Sequence, residues 1–310
     1  MRTAATLVAM LVATGAVAAA TAPASCAAVR DVWVAAVPAP TWNMAPNQRD
    51  AITGTSHSPS RTVFPAVTYR RYTRGWRRPL PNVPSAAGGH DRIPGPLIRA
   101  QTGDRIRVHF KNLDTLYRRA HSMHFHGVRY KPASDGSFVP GVSGQDAAVP
   151  VGGTYTYRLT AERDSAGVWP YHDHSPSMHE SLEGGMYGML SIRRRGEPLP
   201  DREYVVVFAP MGDFQTVNGR AFVGNTPVYR AKVGELVQWN VMAIGSEHHT
   251  FHVHGHRWLR GRAAEDTRTV GPAESFRVRW RERDPGTWLY HCHVESHMEN
   301  GMIGTYRVSR

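Results

Sequence analysis

Four short segments of this chain concentrate side chains that bind metal ions. They are HSMHFHG (121–127), YHDHSPSMH (171–179), HHTFHVHGH (248–256) and LYHCHVESHMENGM (289–302), and they hold fourteen of the seventeen histidines. Each contains an H-x-H pair: His124/His126, His172/His174, His252/His254 and His291/His293. Side chains two apart on a β-strand project from the same face, so each pair presents two imidazoles in one direction. One pair alone would read as a solvated strand face. Four pairs offer eight nitrogen donors, far more than one ion needs, and imply several ions bridged by oxygen.

Cys292 follows from the same geometry. Placed between His291 and His293, it must point to the opposite face of the strand, where its thiolate belongs to a different metal. A free thiol titrates near ~8.5, and a bound metal ion removes that proton outright. His297 and Met302, each five residues further on, can return to the same centre, and His249 can approach it from the preceding cluster. Two imidazoles, one thiolate and a weak axial thioether make a blue-copper electron-transfer site. Cys/His sets also hold zinc, but zinc explains neither the methionine nor the eight further histidines.

These groups need a rigid frame, and the rest of the chain reads as β structure. RIRVHF (105–110) alternates, with Ile106, Val108 and Phe110 on one face. TYTYRLT (154–160), GMLSIR (188–193), YVVVFAP (204–210), FRVRW (276–280) and TYRVS (305–309) are similar short runs, separated by Gly, Pro, Asn and Asp. No stretch keeps a helical period. Short strands at this spacing predict sandwiches or barrels. The charged, proline-bearing link RRRGEPLPDRE (193–203) cuts the chain into two weakly similar halves. Each half has a Gly-acidic turn before a strand (TGDRIRVHF, VGELVQWNV), then a histidine cluster, and ends on a Gly-Met segment (GGMYGMLSI, NGMIGTYRV). One β-sandwich unit used twice accounts for this repeat.

Composition sets the setting. The first 22 residues, with one arginine, an apolar run from about Leu7 to Ala20 and small residues after it, have a secretory signal pattern and predict an exported protein without a stable membrane span. No Arg-Arg pair precedes the run, as the twin-arginine route would need. Cys26 follows Pro-Ala-Ser as a lipid-attachment cysteine would, but Pro23 stands where such signals carry leucine. With the leader removed over 1–28, Cys292 is the single thiol and no internal disulfide forms. The net charge of +12 comes from scattered arginines rather than a basic stripe with stacking aromatics, so nucleic acid is not the expected partner.

HTFHVHGH and HCHVESHMENGM resemble the third and fourth copper motifs of the multicopper oxidases, and HFHG and YHDH resemble the first two. Two domains with the blue-copper ligands confined to the second half resemble the bacterial small laccases, from about residue 95 onward. VTYRRYTRGW and IPGPLIRAQTGDRIRVHFKN resemble, more loosely, the repeat of ceruloplasmin-like ferroxidases. The resemblance implies an all-β fold of two cupredoxin-like Greek-key β-sandwich domains, over 29–197 and 198–310, and four copper ions per subunit. Type 1 copper would be held by His249, Cys292, His297 and Met302. Type 2 copper would be held by His124 and His252. The type 3 pair would be held by His126, His172, His174, His254, His291 and His293. Tyr130 falls where small laccases place a tyrosine beside the trinuclear site, and Asp135 matches an acidic residue near the oxygen site that relays protons.

The implied activity is laccase-like. A reducing substrate, phenolic or similar, gives single electrons to the type 1 copper through an exposed edge of His249 or His297. The trinuclear copper then reduces dioxygen to water after four such transfers. The alternatives are a metal oxidase acting on Fe(II) or Cu(I), a copper nitrite reductase, and a non-catalytic copper-binding protein. Acidic residues beside His249 or His297 would favour iron, and Glu247 and Glu295 are near in sequence. The small-laccase resemblance also implies a head-to-tail homotrimer, in which domain 1 of one subunit meets domain 2 of the next. His121, His179, His248 and His256 fall out of register with the pairs and read as supporting or solvated groups. His57, His90 and His109 carry no signal, and Met123, Met178 and Met186 read as gap-fillers.

Overall fold

Both Gly-acidic turns fold alike. Gly103 and Gly234 sit at φ of 90° and 91°, a left-handed conformation that suits glycine. The acid that follows each glycine ties the turn to the first strand of its own half. Asp104 is buried and pairs with Arg30 at 2.9 Å, while Glu235 pairs with Arg202 at 2.8 Å. The chain, seen in a computed structural model, is described over residues 27–88 and 92–310. Cys26, His90 and nearly all of the expected leader lie outside the described residues.

Each half is two packed sheets. In the first half, one sheet runs Pro79–Leu80, Val63–Tyr72, Val29–Asn43, Arg105–Asn112, Thr154–Thr160, Arg129–Tyr130. The other runs Ile98–Gln101, Tyr187–Arg193, Gly167–His172, His124–Phe125. In the second half the order Phe214–Val217, Arg202–Met211, Leu236–Ala243, Ser275–Arg281 faces Val228–Lys232, Ile303–Ser309, Gly286–Cys292, His249–Val253, Thr267–Val270. In both halves the first strand runs parallel to the strand after the Gly-acidic turn, so the two sandwiches share one topology.

All six expected strands form. Ile106, Val108 and Phe110 are fully buried, while their alternates stay partly exposed. Several strands have no sequence expectation, the two longest being Val29–Asn43 and Val63–Tyr72. The first is rich in alanine and proline and lacks alternation, yet it is the central partner of its sheet.

Three apolar cores result. One fills each sandwich. The third lies between the halves, where Trp42, Val168, Tyr187 and Met189 of the first half meet Val205, Val207, Met211 and Phe214 of the second. At about 1.5–3 kcal/mol per fully buried large apolar side chain, this seam holds the two sandwiches in one arrangement. Ser275 Oγ adds a hydrogen bond across it to Val168 O (2.5 Å). Among the described residues no helix is long and apolar enough to cross a membrane.

Candidate metal centres

The expected thiolate set comes together in the second half. Cys292 ends the strand Gly286–Cys292, and His249 opens the neighbouring strand, whose Phe251 pairs with Cys292. A short helix, Glu295–Glu299, turns His297 back over both. The Nδ1 atoms of His249 and His297 lie 3.0 Å apart, and Cys292 Sγ is 3.9 and 3.7 Å from them. Met302 is fully buried in the same core as Cys292, and its backbone pairs with both Cys292 and His297.

The electrostatics suit a cation-binding set. Burial, followed by the neighbouring charges of His297 and His248, pulls His249 down to about 3. Burial pushes the Cys292 thiol up, partly offset by the Thr250 N–H at 3.4 Å. Two imidazole Nδ1 atoms 3.0 Å apart, one of them on a buried ring, are costly unless something joins them. A soft, borderline cation such as copper fits that donor set. The partly exposed member is His297, whose Nε2 lies 3.4 Å from Glu247 Oε2. Glu247 also accepts from Gln215 Nε2 at 2.7 Å and is about half exposed. Of the two candidate electron entries, His297 is thus the one whose outer edge meets a surface carboxylate, whereas His249 is fully buried.

The eight paired histidines form two quartets, one per half. In the first, the rings of His124, His126, His172 and His174 sit 5.0–5.6 Å apart, and the Nε2 atoms of His126 and His172 are 3.2 Å apart. In the second, His252, His254, His291 and His293 sit 5.1–5.5 Å apart, with His254 and His291 Nε2 atoms at 3.0 Å. Burial, with the crowding of like groups behind it, lowers His126, His172 and His291 to about 4, so they remain neutral donors. Main-chain carbonyls fix the rings from behind. His124 and His252 give Nδ1–H to Asp135 O (2.7 Å) and Asp266 O (2.8 Å). His172 and His291 give theirs to the carbonyls of Asp173 (3.0 Å) and Cys292 (2.8 Å). Nε2 is left free to face the centre of each quartet.

In every pair the first histidine lies on a strand, and the second lies just past the strand's end. The two rings of each pair still lie together, 5.0–5.6 Å apart. Among the described residues, no ring contact or hydrogen bond joins a histidine of one quartet to one of the other.

Tyr130 and Asp135 lie beside His124. Tyr130 meets the His124 ring edge-on at 6.2 Å, and burial, then the Asp135 charge, pushes its phenol up to about 12. Asp135 reaches His124 chiefly through its main-chain oxygen, its carboxylate being 3.6 Å away. Outside the ligand pairs, sequence reasoning missed two buried ion pairs. His121 donates to Asp173 (3.1 Å) and to Asp114 (3.2 Å); burial opposes its charge, but the two carboxylates prevail and raise it to about 9. His256 donates to Glu282 (3.2 Å) and to the carbonyl of His254 (2.7 Å). Asp284 also lies near His256, but the Glu282 oxygens are taken up by N–H and O–H donors, so that group is a satisfied ion pair. His179 and His248 are exposed, Met123 and Met186 fill the core, and His57 and His109 pack on aromatic rings away from the quartets. The odd spacing of His121 from His124 hinted at its separate role, whereas His256 keeps the two-residue spacing from His254 and is set apart by the turn at Gly255, whose φ is 71°.

Comparison with known proteins agrees with this architecture. Two family models, each described as multicopper oxidase, match residues 73–197 and 197–310. A Kuenenia stuttgartiensis protein described as a probable nitrite reductase–hydroxylamine oxidoreductase fusion is 30% identical over 70% of this chain and 27% of its own length. Human ceruloplasmin is 28% identical over 79% of this chain and 26% of its own length, so the chain spans about a quarter of each relative. A crystal structure of a multicopper oxidase superposes with a TM-score of 0.69 at 23% identity, covering 94% of this chain and 92% of the other. A copper nitrite reductase from Nitrosomonas europaea gives 0.67 at 20% identity, covering 91% and 94%. Those likenesses speak to the cupredoxin-like fold, and the two family matches together span most of the sequence: the chain belongs to the multicopper oxidase family.

Proposed function

We propose that this protein is an exported, laccase-like oxidase that takes single electrons from a small reducing substrate and passes them to dioxygen. The observation that carries the reading is the covalent adjacency of two donor sets, with Cys292 facing His249 and His297 while His291 faces a histidine quartet. His249, Cys292, His297 and Met302 would hold type 1 copper, His124 and His252 type 2 copper, and His126, His172, His174, His254, His291 and His293 the type 3 pair. With four copper ions bound, these sites would supply one-electron acceptance at the thiolate and four-electron reduction of dioxygen among the imidazoles.

The chain's own residues set access and order. His297 presents the outer edge of the thiolate set to substrate, next to Glu247. Thr250 N–H steadies the Cys292 sulfur, and the carbonyls behind His124, His252, His172 and His291 hold their rings in one tautomer. Asp135 and Tyr130, beside His124, would pass protons toward reduced oxygen. Because no contact joins the quartets among the described residues of one chain, we assign the complete cluster to a subunit interface in a head-to-tail homotrimer, with domains over 29–197 and 198–310.

Glu247 favours a second reading, a metal oxidase acting on Fe(II) or Cu(I), since a carboxylate at the entry imidazole attracts cations. Oxygen consumption by copper-loaded protein with a phenol, Fe(II) and Cu(I) in parallel decides between the two. Visible thiolate–copper absorption with no oxygen consumption by any donor would refute both. A monomer holding four coppers with full activity would refute the shared-interface assignment.

A further inference from the structure

The two halves can be aligned atom by atom around their H-x-H strands. His124 pairs with His172 in the first half as His252 pairs with His291 in the second. Tyr171 and Tyr290 lie over Gly188 and Gly304, and Trp169 and Trp288 over Gly127 and Gly255. The backbone hydrogen bonds also coincide. Cys292 N donates to Met302 O (3.0 Å) and Met302 N to His297 O (3.0 Å); Asp173 N donates to Met186 O (3.0 Å) and Met186 N to Ser181 O (2.9 Å).

That register places His121 at the position of His249, Asp173 at Cys292, Ser181 at His297 and Met186 at Met302. All four first-half residues are buried. His121 Nδ1 faces Asp173 (3.1 Å), as His249 Nδ1 faces the Cys292 sulfur (3.9 Å), and Ser181 hydrogen-bonds to Asp173. One difference is decisive. His121 Nε2 also donates to Asp114 (3.2 Å), so the two carboxylates grip opposite edges of the ring and cannot converge on one ion. Asp173 further accepts from Ser122 N (2.7 Å) and Ser175 Oγ (2.8 Å), and Ser122 Oγ accepts from His174 N (3.1 Å). The imidazolium and its carboxylates thereby hold the turn that carries His172 and His174.

We propose that the first domain contains a second type-1-like donor frame, closed by the His121–Asp173 ion pair, which pins the His172/His174 turn as a metal–thiolate bond would pin His291/His293. The inference rests on the copper reading of the second-half set. Space for the missing imidazole exists, since a cavity of about 440 Å³ lies against Ser181 and His121.

The test restores the two absent donors with Asp173→Cys and Ser181→His together, in full-length protein loaded with copper(II). The expected result is about twice the thiolate–copper absorption of the wild type per chain. About half of it should survive addition of Cys292→Ser, and copper should raise the variant's melting temperature more than the wild type's. No added band in a folded variant whose new thiol reacts with a disulfide reagent overturns the proposal. If the double variant does not fold, Asp173→Cys alone must add a copper-dependent thiolate band through His121 and Met186. A pocket that rejects both variants also overturns it, because a frame matching that of Cys292 must accept a thiol. Absence of the band in the wild type itself would instead overturn the copper reading of the second half.

Discussion

Glu282 offers the sharpest test of how the second half is held together. Its side chain is fully buried, and its two oxygens accept from five donors: His256 Nε2, Trp280 Nε1, Tyr306 OH and the N–H groups of Arg283 and Asp284. Burial alone would raise its pKa, but His256, Tyr306 and the remaining donors prevail and bring it from 4.5 to about 2. At ~1.36 kcal/mol per pH unit that gap corresponds to ~3 kcal/mol, at the low edge of the ~3–5 kcal/mol lost when one partner of a buried ion pair is removed. Because the folded-state pKa is depressed, this stability is fully present above pH 4.5 and fades as pH falls through about 2. Glu282→Gln keeps the shape and removes the charge. Urea unfolding of copper-free wild type and variant should show a deficit of ~3 kcal/mol at pH 6 that shrinks steadily toward pH 3. A deficit below ~1 kcal/mol, or one that does not change with pH, would show that the pair is not the clamp its geometry describes.

Three further outcomes follow from the same contacts. Cys292→Ser should abolish the thiolate absorption and oxidation of every donor, while the paramagnetic resonance of copper held by histidine persists. Glu247→Gln should raise KM for Fe(II) or Cu(I) several-fold with kcat for a phenol little changed if the metal-oxidase reading holds; equal effects on all donors would count against it. Gly304→Ala would drive a methyl group into Tyr290 OH, and Gly188→Ala one into Tyr171 OH. Each should cost ~1–3 kcal/mol by overpacking, read as lowered thermal midpoints, and a neutral result at both would argue against the tyrosine placement.

The strands legible in the sequence were those in which one face is buried and the other wet. Arg105–Asn112 alternates because it lies between a core and a half-exposed face. Val29–Asn43 did not announce itself, because its place is fixed by pairing on both sides, parallel to Arg105–Asn112 and antiparallel to Val63–Tyr72. Ladder pairing of that kind makes few demands on side-chain identity. The histidine pairs were legible for the opposite reason, since their residue types have few other uses in such numbers. Asp114 and Glu282 were hidden: Glu282 stands 26 residues from His256, and only the folding of one strand against another brings them together. Asp173 was in plain view inside YHDH, but its meaning depends on His121, which approaches from a distant segment that bridges to Val149.

The interior residue of each H-x-H explains how one architecture carries two different back faces. Orientation of the first imidazole in YHDH and in YHCH comes from the carbonyl of the residue between the histidines, Asp173 O in one half and Cys292 O in the other. Any residue supplies that carbonyl, so the quartet places no demand on the side chain there. The side chain points away from the quartet, where His121 meets a carboxylate in one half and His249 meets a thiol in the other. Front and back of the same strand are therefore chemically independent while remaining one residue apart along the chain. A two-centre oxidase needs that combination. The imidazole set must stay fixed whatever occupies the other side, and the thiolate must lie within a few covalent bonds of it. In the first half the same independence allows an ion pair to stand on the back face, where the second half carries the thiol of Cys292.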